Sequence, residues 1–335
     1  MPYRPPSIIQ HLSALQAEHG WLRDADLRAL GERIGVPLHR IEGVASFYPH
    51  FRRTPPAARS VGVCRDLSCA MAGGAGCLAA IRAIAAEHEA ASGERVEIEE
   101  VSCLGRCDRA PAALVDHHLP VAGADGVRAA LAGDHHMPAP KDRFYRLDPY
   151  AGGGPRYAAL RKIVAGGAAA ADALLADLKA AGLRGMGGAG FPTATKWGFV
   201  RGAGPEGGGE KYVICNADES EPGTFKDREI LAGLPHLVWE GVMIAAAVVG
   251  AQRGIVYIRH EYEPERAALE AERAAASAAI AELGLDLELE VFVSPGGYIM
   301  GEETALLEAL EDRRGEPRNK PPFPGIEGLF GKPTV

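Results

Sequence analysis

Four cysteines fall into two close pairs: Cys64 and Cys69, with four residues between them, and Cys103 and Cys107, with three. Each pair follows a run with the signature of a strand. Ser60–Val63 leads directly into Cys64, and the alternating stretch Val96–Val101 ends just before Cys103. Two strands of one sheet would bring both thiol pairs to loops at the same edge. Four thiolates gathered there suit either zinc or an iron–sulfur cluster, since both accept ligation by four cysteines. Spacing alone leaves that choice open, although it excludes the plant-ferredoxin order, because 33 residues separate the pairs. Cys77, on the next helix, and Cys215, at the end of a later strand, read as buried structural thiols.

A second chemical signal is the glycine-dense stretch 182–197, which contains Gly185, Gly187, Gly188 and Gly190 and closes on Lys196 and Trp197. Glycines at this density let a backbone turn sharply and bring N–H groups up to a phosphate or a flat ring. The ordinary dinucleotide fingerprint needs a strand immediately before the first glycine. Here Leu174, Leu175 and Leu178 recur at helical spacing, so a helix precedes the glycines and that fingerprint is rejected. Carboxylates form the third signal: Asp218, Glu219 and Glu221 just after a predicted strand, and the adjacent pair Glu302 and Glu303. In isolation such groups read as solvated charge.

With 335 residues the chain is long enough for two domains, and 47% hydrophobic residues is the composition of a globular protein. A formal charge of −8 without a dense basic run argues against nucleic acid as a partner. The opening residues Met1–Pro6 begin no apolar signal segment, so the six cysteines point to metal or redox use rather than disulfides. The most apolar run, 241–251, is shorter than the roughly 18 residues a bilayer requires and reads as a buried helix, so direct membrane insertion is not expected.

The elements that must position these groups are legible in outline. Residues 7–50 carry apolar stripes of short helices: Ile8, Ile9, Leu12 and Leu15; then Leu27, Leu30 and Ile34 after a cap at Asp24; then Leu38, Ile41 and Val44 after Pro37. An α/β pattern follows, with strands at 60–63, 96–101 and 112–115 and helices at 79–86 and 123–131. Residues 133–155, rich in proline and glycine, read as a linker, with His135 and His136 in an exposed loop. From 156 onward strands at 211–215, 254–259 and 287–293 alternate with helices at 235–250 and 263–283, a Rossmann-like layering. The expected domains are therefore 1–132 and 156–335.

Both halves resemble known families. Gly185–Pro192 with Lys196 and Trp197, Asn216–Asp227, Gly297–Thr304 and Pro317–Pro324 occur in the order and character of the FMN- and NADH-binding subunit of respiratory complex I, a module shared with the diaphorases of NAD-linked hydrogenases and formate dehydrogenases. Residues 7–117, with Gly43–Tyr48, Val63–Cys69 and Val101–Pro111, are similar to the thioredoxin-like [2Fe–2S] subunit of the same complex. The implied fold class is α/β: a helical region and thioredoxin-like [2Fe–2S] domain, then a Rossmann-like FMN-binding domain.

The second resemblance makes Cys64, Cys69, Cys103 and Cys107 ligands of a [2Fe–2S] cluster. The first assigns Gly185, Gly187, Gly188 and Lys196 to the FMN phosphate and ring, and Asn216, Asp218 and Glu219 to the ribityl chain and ring edge. Phe191, Phe199 and Phe323 would stack on the NADH adenine or line its channel, with Glu221, Thr224 and Lys320 as polar contacts. Tyr298 and Gly301 would close the site, with Glu302 and Glu303 as its catalytic carboxylates. The implied reaction is hydride transfer between NADH and FMN, then single-electron transfer to iron–sulfur carriers in a partner subunit of a multi-subunit, cytoplasmic, at most membrane-peripheral complex. A diaphorase of a formate dehydrogenase or hydrogenase is the alternative, and a flavin-free docking subunit the non-enzymatic one. Two residues depart from the family pattern: Met186 stands where arginine is usual, and Met300 where cysteine is usual. Family members also continue beyond the equivalent of Val335, so a [4Fe–4S] cluster is expected only in such a continuation.

Overall fold

The computed structural model describes residues 7–134, 148–204 and 209–335. The His135–His136 pair and most of the expected linker lie outside these residues. Three helices come first: α1 (Ile8–His19), α2 (Asp24–Ile34) and α3 (Leu38–Phe47). Helix α1 opens with a capping box in which Ser7 and Gln10 each satisfy the other's backbone N–H. Helix α2 is capped differently from the expectation. Arg23 occupies the cap position, and Asp24 and Asp26 lie in the first turn, where acidic side chains complement the helix dipole.

The next unit is a four-stranded sheet in the order β2-β1-β3-β4, built from β1 (Arg59–Cys64), β2 (Val96–Val101), β3 (Ala112–Val115) and β4 (Leu119–Ala122). Strands β1 and β2 run parallel and in register, with Arg59 opposite Val96 and Cys64 opposite Val101. Their carboxyl ends therefore finish side by side. Helices α4 (Leu67–Met71), α5 (Gly74–Ser92) and α6 (Gly123–Leu131) complete the unit. Strand β4 was not anticipated: it is four residues long and contains Pro120, which a sheet tolerates at an edge.

The second unit is a three-stranded parallel sheet, β5 (Tyr212–Ala217), β6 (Arg253–Arg259) and β7 (Glu288–Ser294), in that spatial order. Every residue of β6 is buried, as a central strand covered on both faces requires. One face packs against α7 (Ala158–Ala180), α10 (Pro235–Val249) and α11 (Glu263–Glu282), through Leu160, Trp239, Met243 and Leu269. Helices α8 (Thr193–Gly202), α9 (Lys226–Gly233), α12 (Glu303–Leu310) and α13 (Pro324–Glu327) surround this sheet. No single helix among the described residues is long and apolar enough to cross a membrane. Helices α9 and α10 together have the length and composition, but they meet at a bend of 96°.

The opposite face of the second sheet holds a surprise. It is covered by α1–α3 and α12, with Leu12, Leu27, Leu30 and Ile41 in one cluster with Tyr257, Phe292 and Leu310. Tyr48 also donates from its hydroxyl to the Arg313 carbonyl at 2.7 Å. The first three helices thus belong, by packing, to the second sheet rather than to the thioredoxin-like sheet that follows them in sequence. Each fully buried leucine or isoleucine contributes about 1.5–3 kcal/mol, so detaching them would be costly. The apolar stripes predict helices correctly but carry no information about which sheet they cover.

Candidate cluster and nucleotide sites

The parallel register of β1 and β2 delivers the cysteines to one place. Cys64 ends β1, Cys69 lies in α4, and Cys103 and Cys107 follow β2 on a loop that ends in a 3-10 turn over Cys107–Arg109. The sulfurs form a row. The free thiol of Cys64 is within hydrogen-bonding reach of both Cys69 and Cys103, and Cys103 Sγ lies 3.4 Å from Cys107 Sγ. Backbone N–H groups point at three of them: Ala112 at Cys69 and Gly105 at Cys103, both at 3.4 Å, and Gly223 at Cys107, at 3.2 Å. The bond to Cys103 pulls the Cys64 thiol below its ordinary pKa; the same bond, with burial, pushes Cys103 up, and burial pushes Cys107 up. Among the described residues no three His, Cys, Asp or Glu side chains converge on a site for one ion. A row of four sulfurs with N–H donors fits a two-iron cluster, in which each iron takes two thiolates.

The loop bearing Cys103 and Cys107 is locked against the second sheet. Arg259, at the end of β6, donates to the Cys103 carbonyl, and Arg228 of α9 donates to the Gly105 carbonyl at 2.7 Å. Arg106 reaches across to Glu265 at 3.1 Å. Gly105 has φ +66°, and a Cβ there would lie 2.3 Å from the Tyr262 hydroxyl, so only glycine fits. None of these contacts is legible in the sequence, because each pair is more than a hundred positions apart.

Asn216 and Asp218, expected to contact a nucleotide, lie at the carboxyl edge of the second sheet, where parallel α/β sheets bind ligands. The glycine stretch forms a narrow loop pinned at its base by Gly185 N–H to the Phe191 carbonyl and Thr193 N–H to the Leu183 carbonyl, both at 3.0 Å. It leads into the N-terminus of α8. Gly188 sits at φ +98°, and a Cβ on Gly187 or Gly188 would meet nothing within 4 Å, so the loop faces open space. Asn216, the penultimate residue of β5, donates to the Gly301 carbonyl at 2.8 Å and thereby ties that strand to the 3-10 turn Tyr298–Gly301. Beside it Asp218 is buried with one carboxylate oxygen, Oδ2, unpartnered, and burial raises its pKa.

Lys196 projects from α8 to within 3.4 Å of Glu303, and Lys320 lies 2.6 Å from Glu303 and 3.1 Å from Glu302. Glu302 also caps α12, accepting from the N–H groups of Thr304 and Ala305 at 2.8 Å. Burial opposes ionisation of both glutamates. The Thr304 and Ala305 bonds outweigh it at Glu302, and Lys320 with Lys196 at Glu303, so both carboxyls lie below the usual range. Tyr298 donates to Glu221 at 2.6 Å, and the Thr224 N–H bonds the Glu221 carbonyl at 3.1 Å. Phe191, Phe199 and Phe323 are all about half exposed; Phe323 precedes α13, which packs on α8, so it and Phe199 rise from adjoining elements.

Glu219 departs from its expected place. Its carboxylate is buried and accepts from the N–H groups of Asp227 and Arg228 and from the Tyr262 hydroxyl, at 2.8, 3.1 and 2.9 Å. It anchors the start of α9 and leaves no free oxygen for a flavin ring. Met300 is fully buried against Gly315, where a Cβ would lie 2.1 Å from its methyl, so the residue that replaces the family's cysteine serves packing. Met186 stands exposed on the loop and supplies no charge. For FMN itself the remaining donor set is suitable. A cationic lysine, glycine N–H groups beside a helix N-terminus, an amide and one unpartnered carboxylate oxygen match a phosphate, a hydroxylated chain and a polar ring edge.

Comparison with known proteins matches two family models to the chain. The family model described as the thioredoxin-like [2Fe–2S] ferredoxin matches residues 1–124, and that described as the Nuo51 FMN-binding domain matches residues 178–329. The two matches follow one another along the chain. The F subunit of the NADH-quinone oxidoreductase of Mycobacterium tuberculosis is 46% identical over 200 residues, which is 57% of this chain and 43% of that protein. The corresponding protein of the same name from Aquifex aeolicus is 51% identical over 160 residues, 46% of this chain and 36% of that one. The chain thus matches less than half the length of these relatives. A solved structure of the NAD⁺-reducing [NiFe]-hydrogenase in the H₂-reduced state covers 99% of this chain at TM-score 0.82 and 33% identity, with 59% of that chain covered. The two modules therefore also occur in one chain elsewhere, in the same arrangement. FMN and a [2Fe–2S] cluster are the cofactors of these two families, and the residues present fit both.

Proposed function

We propose that the chain is the electron-entry module of an NADH-dependent redox complex, oxidising NADH, or reducing NAD⁺, at an FMN held over the glycine loop. The observation that carries this reading is the pairing of Lys196, on the helix that the glycine loop leads into, with Glu303, and the bond of Asn216 to Gly301 next to Glu302, while Arg228 and Arg259 tie the same sheet to the loop of the cysteine row. When bound, FMN supplies the exchange between a two-electron hydride donor and one-electron carriers. Gly185, Gly187 and Gly188 approach its ring, Lys196 neutralises its phosphate, and Asn216 and Asp218 hold its polar chain. Phe191, Phe199 and Phe323 receive the adenine, and Glu221, Thr224 and Lys320 give the dinucleotide polar contacts. Tyr298 and Gly301 close the far side, and Glu302 and Glu303 orient and polarise the nicotinamide rather than transferring a proton. The partners are other redox subunits of a cytoplasmic complex. A hydrogenase-type diaphorase is the second reading, favoured by the likeness that spans nearly the whole chain.

The test is NADH oxidation by the FMN-reconstituted protein with a soluble one-electron dye. Turnover that requires added FMN supports the proposal. Failure to bind FMN at all would leave a docking subunit.

A further inference from the structure

Arg259 is 3% exposed at the end of β6. Glu261 grips its guanidinium, with Nε to Oε2 at 2.9 Å and Nη2 to Oε1 at 2.7 Å, and the Tyr262 ring lies 5.2 Å away. Its other bonds go to main-chain oxygens of two different modules. Nη1 donates to the Glu219 carbonyl beside the flavin residues, and Nη2 to the carbonyl of the cluster ligand Cys103. A buried ion pair is a poor source of stability, because desolvation costs about as much as the pairing returns. An arginine buried here, against a redox ligand, has a use that packing does not explain.

We propose that Arg259 sets the reduction potential of the [2Fe–2S] cluster from across the module boundary, its charge favouring the reduced, more negative form. The inference rests on the cluster assignment of Cys64, Cys69, Cys103 and Cys107. Cluster potentials respond to local charge, hydrogen bonds to the sulfurs and exclusion of water, and in a buried site a unit charge is weakly screened. The Cys103 loop meets the guanidinium directly and the Glu261 carboxylate only through it, so the cation dominates. The FMN module contributes two further contacts of the same kind. Buried Arg228 holds the Gly105 carbonyl at 2.7 Å, and the Gly223 N–H points at Cys107 Sγ at 3.2 Å. A ferredoxin-like module on its own would lack all three.

The experiment is an EPR-monitored dithionite titration of the full chain with its cluster, after iron and sulfide have been counted. Replacing Arg259→Gln together with Glu261→Gln keeps the site neutral. It should lower the equilibrium constant for one-electron reduction about tenfold, or 59 mV for a one-electron couple. Glu261→Gln alone should shift the potential upward, and Arg259→Lys should stay near the unsubstituted value. An unchanged potential in Glu261→Gln and in the double variant, both with full iron content, overturns the proposal. If the double variant does not fold, the upward shift in Glu261→Gln decides alone. Absence of sulfide and of an EPR signal in the unsubstituted protein instead removes the cluster assignment itself.

Discussion

The cysteine row and the glycine loop are built on opposite plans. Cys64, Cys69 and Cys103 are at most 3% exposed, and the loop that carries Cys103 and Cys107 is bonded to the neighbouring module by buried arginines. The glycine loop is largely exposed, and the cations and anions around it neutralise one another across its mouth. The first plan suits a group that arrives once and stays, needing low dielectric and fixed ligands. The second suits an open face at which a dinucleotide would reach a flavin held on the loop. Its charges are held near their working positions by partners that a phosphate can displace.

The largest effect expected from breaking this comparison lies on the buried side. Cys103→Ser or Cys64→Ala should abolish the cluster, read as loss of iron and sulfide, whereas Cys77→Ser should leave both in place. Next comes Gly105→Ala, whose Cβ would meet the Tyr262 hydroxyl at 2.3 Å in a strained left-handed backbone. Here thermal unfolding should fall well below that of a control such as Gly76→Ala on the exposed start of α5, where an added Cβ meets nothing.

The open side should respond in affinity instead of stability. Lys196→Ala should weaken FMN binding roughly 10- to 100-fold, the worth of one charged hydrogen bond at about 1.5–3 kcal/mol. Glu303→Gln frees Lys196 and should tighten binding, and equal affinities in equilibrium fluorescence titrations would contradict this. Glu302 and Glu303 have carboxyl pKa values below the ordinary range. Their contribution is therefore complete above about pH 4.5 and is lost as pH falls through the lowered values. An acid titration of the apoprotein should show the loss of stability below about pH 4.5 blunted in a Glu302→Gln/Glu303→Gln variant.

A smaller effect concerns cofactor choice. Glu221, itself an expected adenosine contact, is held by Tyr298, and an anion there disfavours a ribose 2′-phosphate. NADH should be preferred over NADPH in kcat/KM, with Glu221→Gln narrowing the gap; comparable values in the unsubstituted protein would show the assignment of Glu221 to be wrong.

Much of this was legible in the sequence, for reasons that differ between the sites. Cysteine is rare and its pairs follow strand-like runs, so Cys64, Cys69, Cys103 and Cys107 declare themselves locally. Glycine density and the ordered motifs around it do the same for the loop. What stayed hidden is long-range. Glu219 sits inside a motif, yet its carboxylate is claimed by Tyr262 and α9. Arg259 reads as the last residue of a strand, and only the fold brings it to Cys103, 156 positions away. The first three helices were visible as apolar stripes, but their partner, the second sheet, could not be read from periodicity.

The central claim is that one chain holds a working hydride site on the open face and a separate, buried cluster site behind it. Stopped-flow observation of the flavin band after mixing the FMN-loaded protein with NADH tests it most directly. The account predicts rapid bleaching that survives loss of the cluster in Cys103→Ser. A flavin band that stays unbleached in a fully FMN-loaded sample would contradict it, because the residues on this face would then bind the flavin without forming the site of hydride transfer.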